Sequence, residues 1–178
     1  MLIAVGFPAI AFAGNITGDT VNWQYYAYGG AYGSGSSFTV PCSACGTFMD
    51  YFLIDASANS ITFDYSVYSD ADPLWSSSTL SLSPVIYNGI DLQFSGGSSI
   101  TSVSIDPATN MAGFNESDLY FTGNEIQVNW ADLPFDSSTV VTLDVNGTST
   151  VVPEPSSLVL LGSGLLAIVG GMRRRLAR

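Results

Sequence analysis

The sequence predicts an all-β protein: an antiparallel β-sandwich or jelly-roll-like domain, followed by one C-terminal transmembrane α-helix. Three observations predict it. Apolar and polar residues alternate with period two along most of the chain, with almost no helical periodicity before residue 156. Clusters of Gly, Ser, Asn, Asp and Pro interrupt these runs about every ten residues. A single uncharged stretch, Ser156 to Met172, stands apart near the end.

The chain divides into three parts. Residues 1–13, "MLIAVGFPAIAFA", are apolar and end in Ala11-Phe12-Ala13. Small residues at Ala11 and Ala13, ahead of Gly14, fit a signal-peptidase site. A basic leader region is missing, so the true start is expected upstream of Met1, or the N-terminus is expected to be trimmed. The competing reading, a buried first strand, is disfavoured by Pro8.

Residues 14–152 form the expected β domain. In "ITFDYSVY", Ile61, Phe63, Tyr65 and Val67 fall on one face, with Thr62, Asp64 and Ser66 on the other. "IDLQF" sets Ile90, Leu92 and Phe94 against Asp91 and Gln93, and "IQVNW" sets Ile126, Val128 and Trp130 against Gln127 and Asn129. "VVTLDV" behaves likewise, with Val141, Leu143 and Val145 inward. One buried and one wet face is the signature of an antiparallel sheet. "TFMDYFLID" is apolar on both faces and suits a central strand, and the Gly/Ser-rich residues 28–37 suit a long loop. About nine to eleven short strands result, the count expected of a sandwich.

Composition narrows the function. The protein has 15 Asp and Glu, four Arg, no Lys and no His. All four Arg lie at positions 173 to 178, so residues 14–152 hold 14 acids and no base. No salt bridge can form within that domain, and nothing in it can neutralise nucleic-acid phosphates. A His-based triad and a Lys Schiff base are impossible. Yet the chain is 47% hydrophobic and only 11% charged, the reverse of a disordered composition.

Cys42 and Cys45, in "VPCSACGTF", read as a local disulfide in an exported protein. A redox-active pair would be expected to open a helix, and no His or further Cys exists to complete a zinc site.

The third part is 153–178. Pro153-Glu154-Pro155 cannot sit inside a helix or a central strand and reads as an exposed hinge. Residues 156–172 would span about 26 Å as a helix, the short end of a membrane crossing. Arg173, Arg174 and Arg175 follow at once and act as a stop-transfer cluster held on the cytoplasmic side. A plain, uncut membrane anchor is the alternative reading. The order of these three elements closely resembles the PEP-CTERM sorting signal over Val152 to Arg178. The resemblance implies export by a Gram-negative bacterium and transient anchoring in the inner membrane. It also implies processing near Pro153-Glu154-Pro155 by the membrane protease exosortase, then residence at the cell surface or outside the cell. Such proteins accompany exopolysaccharide and biofilm production.

For the body, the residues favour a non-catalytic surface or matrix role. Trp23, Tyr25, Tyr26, Tyr28, Tyr32 and Trp75 lie near turns, where exposed rings would stack on sugars and buried ones would build the core. The carboxylates nearest in sequence, Asp70 with Asp72 and Asp132 with Asp136, carry no spacing signature of a glycoside hydrolase and read as turn residues. Acidic turns make Asp70, Asp72 and Asp106 weak candidates for calcium, without an EF-hand pattern. No other cofactor is implied. Asn15, Asn115 and Asn146 open N-x-S/T triplets, a pattern that polar turns generate by chance.

Overall fold

The computed structural model describes residues 14–69, 74–75, 81–82, 85–86 and 88–149. The expected signal peptide 1–13 and the expected sorting segment 153–178 lie outside the described residues. So do Ala11, Ala13, Asp70, Asp72, Pro153, Glu154, Pro155 and Arg173 to Arg175.

In chain order the strands are β1 (Thr20–Ala27), β2 (Gly30–Ala31), β3 (Ser36–Thr39), β4 (Cys42–Phe48), β5 (Phe52–Ala56), β6 (Ser60–Asp64), β7 (Leu74–Trp75), β8 (Ser81–Leu82), β9 (Val85–Ile86), β10 (Gly89–Ser95), β11 (Ser98–Ile105), β12 (Leu119–Phe121), β13 (Glu125–Asn129), β14 (Pro134–Phe135) and β15 (Val140–Ser149). One sheet has the order β12-β13-β10-β1-β2, with β3 also paired to β1. The second has the order β11-β15-β6-β5-β4. Every pairing is antiparallel. Only two short 3-10 turns interrupt the strands among the described residues.

The alternation sets the register. Trp23 lies opposite Leu92, which lies opposite Ile126; Tyr25, Ile90 and Val128 form the next row. In the second sheet, Ile54 faces Phe63, which faces Val141, and Ala56 faces Ile61, which faces Leu143. These inward rows meet in one buried cluster, so the two sheets form a sandwich. Trp130 joins them, 1% exposed, with its ring 6.1 Å from Tyr25 and 5.3, 5.1 and 6.2 Å from Phe52, Phe63 and Tyr65. Edge-on and stacked ring pairs of this kind add roughly 0.5–1.5 kcal/mol each beyond area burial.

Two expected elements differ. The run Thr47–Asp55 is not one central strand. It breaks into a β4–β5 hairpin in which Phe48 pairs with Phe52 and Tyr51 N–H donates to the Phe48 carbonyl at 2.8 Å. Met49 and Asp50 take φ of 46° and 61°, the left-handed values that suit the twist of a hairpin. The run reads as apolar on both faces because Phe48 and Phe52 enter the core while Met49 projects outward. Residues 28–37 are likewise not a plain loop: Tyr28-Gly29 turns tightly, and β2 and the start of β3 fold back on β1.

Candidate functional site

The two ends of the domain leave from one pole. Gly147 N–H donates to the Gly14 carbonyl at 3.1 Å, and Ile16 N–H donates to Ala58 at 2.9 Å. Gly14, the residue after the expected leader, is already buried, and Ile16 is fully so. β1 then runs from Thr20, at this pole, to the Tyr28-Gly29 turn at the other, a rise of about 24 Å over its length.

That far pole carries three of the four exposed large hydrophobic side chains among the described residues, Tyr28, Tyr32 and Met49; the fourth, Phe121, lies on β12. Of the rings read as candidate sugar contacts, Trp23 and Tyr25 are core residues and Tyr26 is half-buried, whereas Tyr28 is 73% exposed and Tyr32 38%. Trp75 pairs with Pro134 across β7 and β14. Tyr28 and Tyr32 meet edge-on at 5.5 Å, and Tyr32 lies 6.3 Å from Phe48. Met49, 53% exposed, tops the adjoining turn.

Cys42 and Cys45 are joined as a disulfide with Cα atoms 5.6 Å apart. It spans a bulge. Cys42 pairs with Ala56 and Gly46 with Ile54, so β4 holds two more residues than β5 over that stretch. Ala44 takes φ of 49° there, and its N–H donates to the Asp55 carboxylate.

The acidic candidates separate clearly. Asp106 accepts from Ala108 N–H at 2.6 Å and closes its own turn. Asp136 accepts from the Ser138 backbone at 2.8 Å and hydroxyl at 2.6 Å, which hold its carboxyl below the usual range. It borders a shallow cleft with Asn110, Phe135 and Thr139. Asp132, φ 62°, occupies a separate turn position.

The carboxylates that do come together are ones the sequence did not single out. Asp91 on β10 and Glu125 on β13 lie near enough on the outer face of the first sheet for their carboxyl groups to interact. Burial pushes the Asp91 carboxyl up to about 6, the Glu125 charge adds to the shift, and the Gln93 amide opposes it. Gln93 Nε2 donates to both Asp91 oxygens at 3.1 and 3.2 Å, and Gln127 Nε2 donates to Glu125 Oε1 at 2.7 Å. Gln127 stands directly opposite Asp91 and is 7% exposed, although it lies on the face away from the core. Its Oε1 has no hydrogen-bond partner. Among the described residues, no three of His, Cys, Asp and Glu cluster as a metal site, and no helix is long and apolar enough to cross a membrane.

Fold and tail together define a class: a β-sandwich whose ends share one pole and whose chain runs on into a routing segment. Residues 151–175 match the PEP-CTERM protein-sorting motif. The chain carries that signal, which marks an exported protein sorted by exosortase. No curated protein and no solved structure matches the chain.

Proposed function

We propose that this is a non-catalytic protein of the cell surface or extracellular matrix, associated with exopolysaccharide or biofilm. Its apolar segment 156–172 crosses the inner membrane as a helix and holds the chain there, with Arg173, Arg174 and Arg175 on the cytoplasmic side. Exosortase processes it at Pro153-Glu154-Pro155. The observation that carries this reading is the sorting motif, which begins two residues after β15 ends at Ser149.

The geometry of the domain supports it. With both ends at one pole, an anchored sandwich presents its Tyr28, Tyr32 and Met49 pole away from the bilayer.

The test is the intact mass of the protein from producing cells, taken separately from membrane and extracellular fractions. We expect an extracellular species ending between Val152 and Pro155, two hydrogens lighter for the Cys42–Cys45 bond. A chain ending at Arg178 and found only in membranes would leave a permanent anchor and overturn the processing step.

A further inference from the structure

We infer that Tyr28, Tyr32 and Met49, at the pole away from the chain ends, bind an uncharged polysaccharide whose sugar rings stack on the two tyrosines. The inference rests on the surface or matrix role proposed above, and gives that role a contact surface and a class of glycan.

The placement of Tyr28 is the first observation. Ala27 pairs with Gly30, so Tyr28 and Gly29 are the whole turn between β1 and β2. Both have positive φ, 54° and 93°, as in the two-residue hairpin turn that favours Asn-Gly. A bulky aromatic residue is disfavoured in that left-handed conformation. Core packing does not compensate, because Tyr28 is 73% exposed. The fold gains nothing from Tyr at this position that Asn would not give. Residues held in such conformations cluster at binding sites.

The second observation is rigidity. Tyr32 N–H donates to the Tyr25 carbonyl at 2.8 Å, and Gln24 Nε2 donates to the Tyr25 and Tyr32 carbonyls at 2.8 and 3.3 Å. Gly33 packs on the opposite sheet's turn so closely that a Cβ there would stand 3.1 Å from the Phe48 ring and 3.6 Å from the Met49 sulfur. The turns of the two sheets therefore hold each other. The Tyr28 and Tyr32 rings are fixed 5.5 Å apart, with 67° between their planes. A surface ordered before binding loses little entropy on binding.

Area and charge select the occupant. Tyr28, Tyr32 and Met49 together expose on the order of 300–400 Å². A protein partner or a second copy needs about 800 Å² a side. Two copies, each with 14 acids and no base in residues 14–152, also repel one another. A sugar needs far less area, since the C–H face of one pyranose lies flat on one tyrosine ring. The same charge keeps out polymers bearing uronate, phosphate or sulfate, because the domain has no Lys, Arg or His to pair with them. A polymer bearing amines would be drawn to acids over the whole domain rather than to this pole. An uncharged chain fits both limits. Its hydroxyl groups can donate to Asp50, which is exposed in the same turn as Met49.

The experiment is affinity electrophoresis of the purified full chain, in a polyoxyethylene detergent, through native gels containing hydroxyethylcellulose, laminarin, galactomannan, dextran or alginate. We expect at least one of the four neutral polymers to retard the protein, with EDTA present or absent, and the anionic alginate not to. Tyr28→Asn should weaken that binding at least fivefold while leaving the thermal midpoint unchanged or higher, because Asn suits the turn better than Tyr. Tyr28→Trp should retain binding. Phe121→Ala, at the exposed ring on β12, should not alter it. On the unaltered chain, the retarding polymer should protect Tyr28 from nitration by tetranitromethane, a reading that no variant's folding affects. Retardation by none of the neutral polymers would overturn the assignment, and so would retardation that Tyr28→Asn leaves intact. Neither result touches the sorting reading, which the mass of the protein in cell fractions tests separately.

Discussion

Trp130 shows how much one side chain can hold. It sits just past the end of β13, yet its ring reaches Phe52 and Phe63 of the opposite sheet. Its Nε1 has no hydrogen-bond partner, so its contribution is packing alone. Trp130→Ala would open a cavity between the sheets and should cost about 3–5 kcal/mol, read as a lower urea midpoint with retained strand signal. A loss below about 1 kcal/mol would mean the sheets close over the gap. Trp130 is legible in the sequence, because the alternation from Ile126 continues through it. Gln127 is not. Period two assigns it to the wet face, and only the assembled sheet reveals that this face is covered at that point. The proximity of Asp91 and Glu125 is hidden for a related reason. It joins residues 34 positions apart through a register that no local pattern encodes.

The β4–β5 hairpin concentrates the irregular backbone. It contains the bulge, the disulfide and three non-glycine residues at positive φ, Ala44, Met49 and Asp50. Alternation identifies β6, β10, β13 and β15 because each sets apolar residues on one face and polar residues on the other. It fails at Thr47–Asp55, where neither Gly nor Asn marks the turn and Met49-Asp50 adopts the left-handed conformation regardless. The disulfide closes a very short loop, so chain entropy gives it about 2 kcal/mol. Replacing both Cys42 and Cys45 by Ser should therefore lower unfolding free energy by about that amount. The accelerated hydrogen exchange should stay confined to β4 and the neighbouring part of β5. Exchange spreading to β6 and β15 would show that the bulge supports the whole sheet.

Across the whole molecule, charge of one sign governs behaviour. Fourteen acids and no base occupy residues 14–152, so every side-chain charge there repels the rest. Raising NaCl from 20 to 500 mM shortens the screening length severalfold. It should raise the thermal midpoint by about 4 °C, the shift that roughly 1 kcal/mol gives in a domain of this size. A flat profile would show that the carboxylates are too dispersed to repel. The fold class and the sorting signal are both legible at this scale, because composition and residue order carry them directly.

The position of β15 also sets an order of events in time. It lies between β11 and β6, and β11 has no other partner in that sheet. The motif match begins at residue 151, just beyond its last residue. A chain leaving the cell N-terminus first therefore delivers its last interior strand only as the sorting signal itself arrives. Until Val140–Ser149 has crossed, β11 lacks its partner and the second sheet is incomplete. Folding and arrest at the membrane then fall within the same few residues of transit.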